Sequence, residues 1–170
     1  MSDTILVVYA TRYGSTQEVA DKVAATLRES GLAVDVQPAR QVRNLVGYRA
    51  VVVGAPFYVG RWLKDARRFL ERHQAALAQM PVAIFSLGPV RADEGMAEAR
   101  AQLDTQLSKY PWLKPVAAEM FGGKYDPERL RFPDNLLAAP SASPLHGLPA
   151  SDIRDWDAIR AWASSLAGKL

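Results

Sequence analysis

The sequence predicts an α/β fold: a three-layer, doubly wound sheet of five parallel strands in the order 2-1-3-4-5. Three observations predict it. Short apolar runs alternate with stretches whose apolar residues recur at helical spacing. The runs are continuously apolar rather than alternating, as expected of strands covered on both faces. Small, glycine-containing segments follow the first, third and fourth runs, where a doubly wound sheet opens its ligand crevice. Alternating strands and helices make the sheet parallel, and right-handed crossovers narrow its order.

The elements follow in turn. Residues 5–9, Ile-Leu-Val-Val-Tyr, form the first strand. The helix expected over 15–29 places Val19, Ala20, Val23, Ala24 and Leu27 on one face, and Gly31 stands at its C-terminal stop. Residues 32–36 form the second strand and residues 50–53 the third, which Gly54 should end. Leu63, Ala66, Phe69 and Leu70 mark the next helix, and residues 82–85 the fourth strand. A helix over 96–107 turns Ala99 and Leu103 inward, and residues 116–121 complete the sheet. Asp155 is the candidate N-cap of a last helix carrying Ile159, Trp162, Ala163 and Leu166. One domain over 1–170 is expected, interrupted by an irregular excursion at about 122–151 rich in Pro, Gly, Ser and Ala. That excursion leaves the fifth strand on the side of the three loops, so it should lie beside the ligand and govern partner choice. Phe121, Tyr125 and Phe132 are its expected anchors.

Composition restricts the chemistry. The chain has 170 residues, 49% hydrophobic and 23% charged, as in ordinary globular proteins. It contains no cysteine, which excludes disulfides, a thiolate nucleophile and cysteine-held iron–sulfur or zinc. His73 and His146 are its two histidines, too few for a histidine-rich metal site. No metal is expected, and redox chemistry would have to come from a bound cofactor. The net charge of +3 lacks the dense basic stripe that nucleic acid requires. The start has no basic leader, and no run approaches a transmembrane length, so a cytoplasmic protein is expected.

The first loop, Ala10-Thr11-Arg12-Tyr13-Gly14-Ser15-Thr16, runs directly into a helix. Free N–H groups and hydroxyls at a helix start suit a phosphate, and Gly14 permits close approach. The same residues permit a second reading, because Ser15 followed by Glu18 is also a capping box. The second loop, Gly54-Ala55-Pro56-Phe57-Tyr58-Val59-Gly60-Arg61-Trp62, offers aromatic planes between Pro and Gly, suited to stacking or to ordinary packing. The third, Ser86-Leu87-Gly88-Pro89-Val90-Arg91, presents little bulk and could wall a flat ring. No Walker A element and no Gly-x-Gly-x-x-Gly with its ribose acid is present, so a mononucleotide is favoured over a dinucleotide.

Together the three loops resemble the flavodoxin family. Thr11, Gly14 and Thr16 match its phosphate pattern, while Tyr13 stands where the common pattern has Thr. The resemblance is nearer to the flavodoxin-domain subgroup that includes menaquinone-dependent protoporphyrinogen dehydrogenase. Residues 10–16 are similar to its Ser-Thr-Arg-x-Gly-x-Thr loop, Gly54-Ala55-Pro56 and Gly60 to its flavin loop, and Asp155-Trp156-Asp157 to its ending. The resemblance spans nearly the whole chain and implies a flavodoxin-like fold holding flavin mononucleotide (FMN). Thr11, Arg12, Tyr13, Gly14, Ser15 and Thr16 would then hold the phosphate. Ala55, Pro56, Phe57, Tyr58, Gly60 and Arg61 would flank the isoalloxazine with Ser86, Leu87, Gly88, Pro89 and Val90. A backbone carbonyl near Phe57 or Tyr58 would accept from the reduced ring, and Arg12 and Arg61 would offset its negative charge.

The resemblance implies an oxidoreductase whose partners are a redox protein or a quinone, with a small-molecule substrate also open. If that substrate carries carboxylates, Arg129 and Arg131 are candidates to meet them. The alternatives are a one-electron carrier serving a reductase or oxygenase, and a flavodoxin fold that has lost its flavin.

Overall fold

The computed structural model describes residues 2–58, 60–90, 95–131 and 149–170. Val59, Arg91, Phe132 and His146 lie outside the described residues, as does most of the excursion's expected outer part. In chain order the elements are β1 (Thr4–Tyr9), α1 (Ser15–Glu29), β2 (Ala33–Pro38), β3 (Tyr48–Tyr58), β4 (Arg61–Trp62), α2 (Lys64–Arg72), α3 (Gln74–Leu77), β5 (Val82–Leu87), α4 (Met96–Leu107), β6 (Ala117–Phe121), β7 (Lys124–Tyr125), β8 (Ser151–Asp152) and α5 (Trp156–Leu166).

The main sheet runs β2-β1-β3-β5-β6, all parallel, which is the expected order with the short β4 added. Burial explains its apolar runs. Ile5, Val7 and Tyr9 face a cluster completed by Val19, Val23 and Leu27 of α1 and by Ile159, Ala163 and Leu166 of α5. Leu6 and Val8 face the opposite cluster, with Phe69 and Leu70 of α2 and Leu103 of α4. Ile5, Leu6, Val7 and Val8 are all fully buried, so none of these four positions tolerates a polar residue. Each such side chain contributes roughly 1.5–3 kcal/mol by leaving water.

Helix ends follow local chemistry. Asp155 caps α5, its Oδ1 accepting from Ala158 N at 3.0 Å. At the end of α1, Gly31 N donates to Arg28 O and Leu32 N to Leu27 O, a Schellman arrangement. The capping box is not formed. Gly14 is the N-cap of α1, with φ 92° and no side-chain cap, and Ser15 is already the first helical residue. The left-handed conformation at Gly14 sets the entry angle of the helix and moves Ser15 out of the capping position.

Two strands extend into segments expected to be loops. Gly54 does not end β3, which continues to Tyr58 and folds back through Gly60 into β4. Ser86 and Leu87 likewise belong to β5, paired with Met120 and Phe121 of β6. Gly54 serves close packing instead. A methyl group there would stand 2.0 Å from Cζ of Phe85, whose ring is fully buried.

Gly54→Ala should therefore destabilise the fold by about 1–3 kcal/mol through overpacking. In a Phe85→Leu background the same change should cost less, because the ring that meets the methyl is gone. Chemical denaturation of the four proteins in this cycle checks it. Equal cost in both backgrounds would contradict the packing account.

Candidate functional site

The carboxyl ends of β1, β3 and β5 lie side by side, and backbone bonds tie their loops together. Ala10 N donates to Gly54 O at 2.9 Å, joining the first loop to the second. Gly88 N donates to Phe121 O at 2.9 Å, fixing the third against β6. These bonds follow from strand order alone, so the sheet brings residues 10–16, 54–58, 60–62 and 86–90 to one edge.

The first loop turns around Thr11, whose Oγ1 accepts from Gly14 N at 2.9 Å. The first intrahelical bond of α1 is donated by Glu18 N to Gly14 O. Among the described residues the N–H groups of Ser15, Thr16 and Gln17 meet no side-chain cap, so the helix presents them with its positive dipole end. Thr16 belongs to the same turn. It is fully buried, and its Oγ1 has no hydrogen-bond partner among the described residues. Buried hydroxyls ordinarily find partners, so this one points to an acceptor or donor supplied from outside the chain.

Aromatic groups build the second loop. The β3–β4 hairpin closes on the pair Tyr58 and Arg61, with Gly60 at φ 74°. Tyr58 faces the first loop, where the Arg12 guanidinium sits 5.0 Å from its ring centre and 6.0 Å from that of Tyr13. Phe57 packs inward on Trp62, their ring centres 6.1 Å apart. Trp62 is buried and its Nε1 donates to Ser86 Oγ at 2.7 Å, which fastens the hairpin to β5. The Ser86 hydroxyl is thus engaged within the protein, and Leu87 and Pro89 are buried beside it. Gly88 and Val90 are only partly buried.

The excursion is anchored to this edge from both sides. On departure, Gly123 N donates to Pro89 O at 2.6 Å, and on return Ser151 Oγ donates to Val90 O at 2.5 Å. Between them β7 and β8 pair antiparallel. Phe121 and Tyr125 are buried anchors, as expected. Arg131 N approaches the Tyr13 hydroxyl at 3.4 Å, so the departing chain reaches the first loop. Arg129 and Arg131 are both exposed there.

Sequence reading missed Arg154. Its side chain is 3% exposed, and its Nη1 donates to Ser15 O at 3.1 Å and lies 3.0 Å from Glu18 Oε2. Asp152 takes two further bonds, at 2.8 and 2.7 Å. These contacts hold the Asp152 carboxyl below its ordinary range and raise Arg154 above its own, although burial opposes both. Arg154 stands 139 residues from Ser15, and no local pattern marks such a pairing.

The flavodoxin domain model matches residues 6–138. The chain belongs to the flavodoxin-domain family. That membership makes it a flavodoxin-like redox protein with a flavin as its cofactor class. Among curated proteins it is similar to protoporphyrinogen IX dehydrogenase (quinone) of Escherichia coli strain K12, with 31% identity over 87 residues, 50% of this chain and 48% of that enzyme. The chain spans about half the length of the curated relatives it matches. Among solved structures, oxidised flavodoxin 2 from Bacillus cereus shares the fold with a TM-score of 0.60 and 20% identity, covering 98% of this chain and 99% of that one. The Flv1 flavodiiron core from Synechocystis sp. PCC6803 gives 0.61 and 13%, over 98% of this chain and 35% of that one. Among the described residues no helix is long and apolar enough to cross a membrane.

Replacing Thr16 with Val removes the orphan hydroxyl while keeping the shape. The flavin-free protein should gain stability, by about 1 kcal/mol, because a buried unsatisfied polar group is destabilising. Its denaturation midpoint in the absence of added flavin reads this directly. A lower midpoint than wild type would mean that Thr16 Oγ1 is already satisfied within the protein.

Proposed function

We propose that this chain binds FMN noncovalently and works as an FMN-dependent oxidoreductase, passing electrons in the cytoplasm to a quinone or a redox protein. The buried Thr16 hydroxyl, without a partner among the described residues in the first turn of α1, carries the FMN reading. A phosphate supplies what both groups lack: acceptor oxygens and negative charge.

The residues present fit the cofactor. Thr11, Gly14, Ser15 and Thr16 would hold its phosphate through hydroxyl and backbone donors. Arg12 and Tyr13 would close the loop over it. The aromatic hairpin, Ala55 to Tyr58 with Gly60 and Arg61, would flank the isoalloxazine on one side, and Ser86 to Val90 would flank it on the other. Ser86 acts there through Trp62, holding the hairpin at its distance from β5. FMN supplies the transfer of one or two electrons, while the protein sets its orientation and access. Arg12 and Arg61 are exposed cations whose charge favours the anionic reduced flavin and an acidic substrate. The 31% identity to the E. coli enzyme supports a quinone as acceptor.

Mass spectrometry of the cofactor released on denaturation should find FMN. Finding FAD alone would overturn the mononucleotide reading. After anaerobic reduction, the reconstituted protein should be reoxidised faster by menaquinone than by one-electron acceptors. The reverse order would make it a one-electron carrier. Thr16→Val, expected to stabilise the flavin-free protein, should weaken FMN about tenfold or more by removing a charge-assisted bond. Unchanged affinity would remove Thr16 from the phosphate site.

A further inference from the structure

One buried cation lies outside the three loops yet touches the helix they feed. Arg154 follows β8, where the excursion returns, and its guanidinium lies 4.7 Å from the ring centre of Trp156. It binds two carboxylates, Asp152 and Glu18, and the backbone carbonyl of Ser15. Burying a guanidinium is costly and adds little net stability over an apolar residue of similar size. Its placement therefore points to a local task.

Glu18 defines that task. It lies in the first turn of α1, next to the N–H groups left uncapped at the helix start. An anion bound there would face the Glu18 charge across about one helical turn. Arg154 sits against Glu18 at 3.0 Å and offsets that charge. Its bond to the Ser15 carbonyl also fixes the direction of the first turn, and hence of its N–H groups.

We propose that Arg154 is a positioning residue for the flavin phosphate, which neutralises Glu18 and orients the first turn of α1 so that this helix start accepts a dianion. The inference rests on the FMN reading. It makes a separate demand: Arg154 matters for the phosphate and not for the ring. Arg154 also ties the return of the excursion, through β8, to the loop that holds the phosphate.

Riboflavin, which has the ring and no phosphate, separates the two roles. Affinities for FMN and riboflavin are measured by flavin fluorescence quenching in wild type, Arg154→Gln, Glu18→Gln and the double variant. Arg154→Gln should lower the ratio of FMN to riboflavin affinity about tenfold, as an unopposed acid now faces the phosphate. The double variant should return the ratio to within about threefold of wild type, because the opposing charge has gone with its partner. Equal losses of both flavins in Arg154→Gln, or no recovery in the double variant, would overturn the proposal. Glu18→Gln alone keeps the test open if Arg154→Gln does not fold. With the Glu18 charge removed while Asp152 still pairs Arg154, its ratio should rise about threefold, and an unchanged or lower ratio counts against the proposal. A wild-type protein that binds neither flavin refutes the FMN reading itself, and this inference with it.

Discussion

Coverage of the sheet on both faces is the constraint from which the rest of the structure follows. β1 has four consecutive residues with no exposed surface, so a helix must lie above it and another below. α1 and α5 take one face and α2 and α4 the other. Parallel strands then send their carboxyl ends to a single edge. The crevice at that edge is a consequence of topology, and the loops need only supply the chemistry.

A few polar ties turn that edge into a shaped site. Ala10 N to Gly54 O sets the spacing of the first two loops, and Trp62 to Ser86 that of the second and third. The excursion is fastened to Pro89 and Val90 on its way out and back. Arg154 completes the circuit by joining its return to the start of α1. The return of the excursion therefore has a short covalent and hydrogen-bonded route to the first loop.

Much of this was legible in the sequence, for identifiable reasons. β1 is a continuous apolar run, α1 and α2 carry clear helical periodicity, and Asp155 before Trp156 is a local capping signal that needed no tertiary help. The ends of β3 and β5 were not legible. Ala55-Pro56-Phe57-Tyr58 has the composition of a loop, and its extended state depends on pairing of Ala55 and Pro56 with β5 and of Phe57 and Tyr58 with Trp62 and Arg61, Trp62 itself stacking on Tyr110. Ser15 and Glu18 had the spacing of a capping box, but Gly14 takes the cap and Glu18 pairs with Arg154. Local spacing cannot register a competitor 136 residues away in sequence, as Arg154 is from Glu18. The first-loop residues could be proposed from sequence because phosphate chemistry would concentrate them in one short segment. Arg154 was not, because its partners are spread along the chain.

The central claim is that the start of α1 holds the FMN phosphate as a dianion. Phosphorus-31 NMR of the reconstituted protein tests it most directly. Free FMN changes charge near pH ~6, the second ionisation typical of a phosphate monoester. A phosphate enclosed by the N–H groups of the first turn and by the Thr11 and Thr16 hydroxyls, as proposed, would be kept fully ionised. The account predicts one bound resonance whose chemical shift stays constant between about pH 5 and 8, since donors that favour the charged form lower its ionisation below that window. A bound resonance that titrates near pH ~6 like the free cofactor would contradict it.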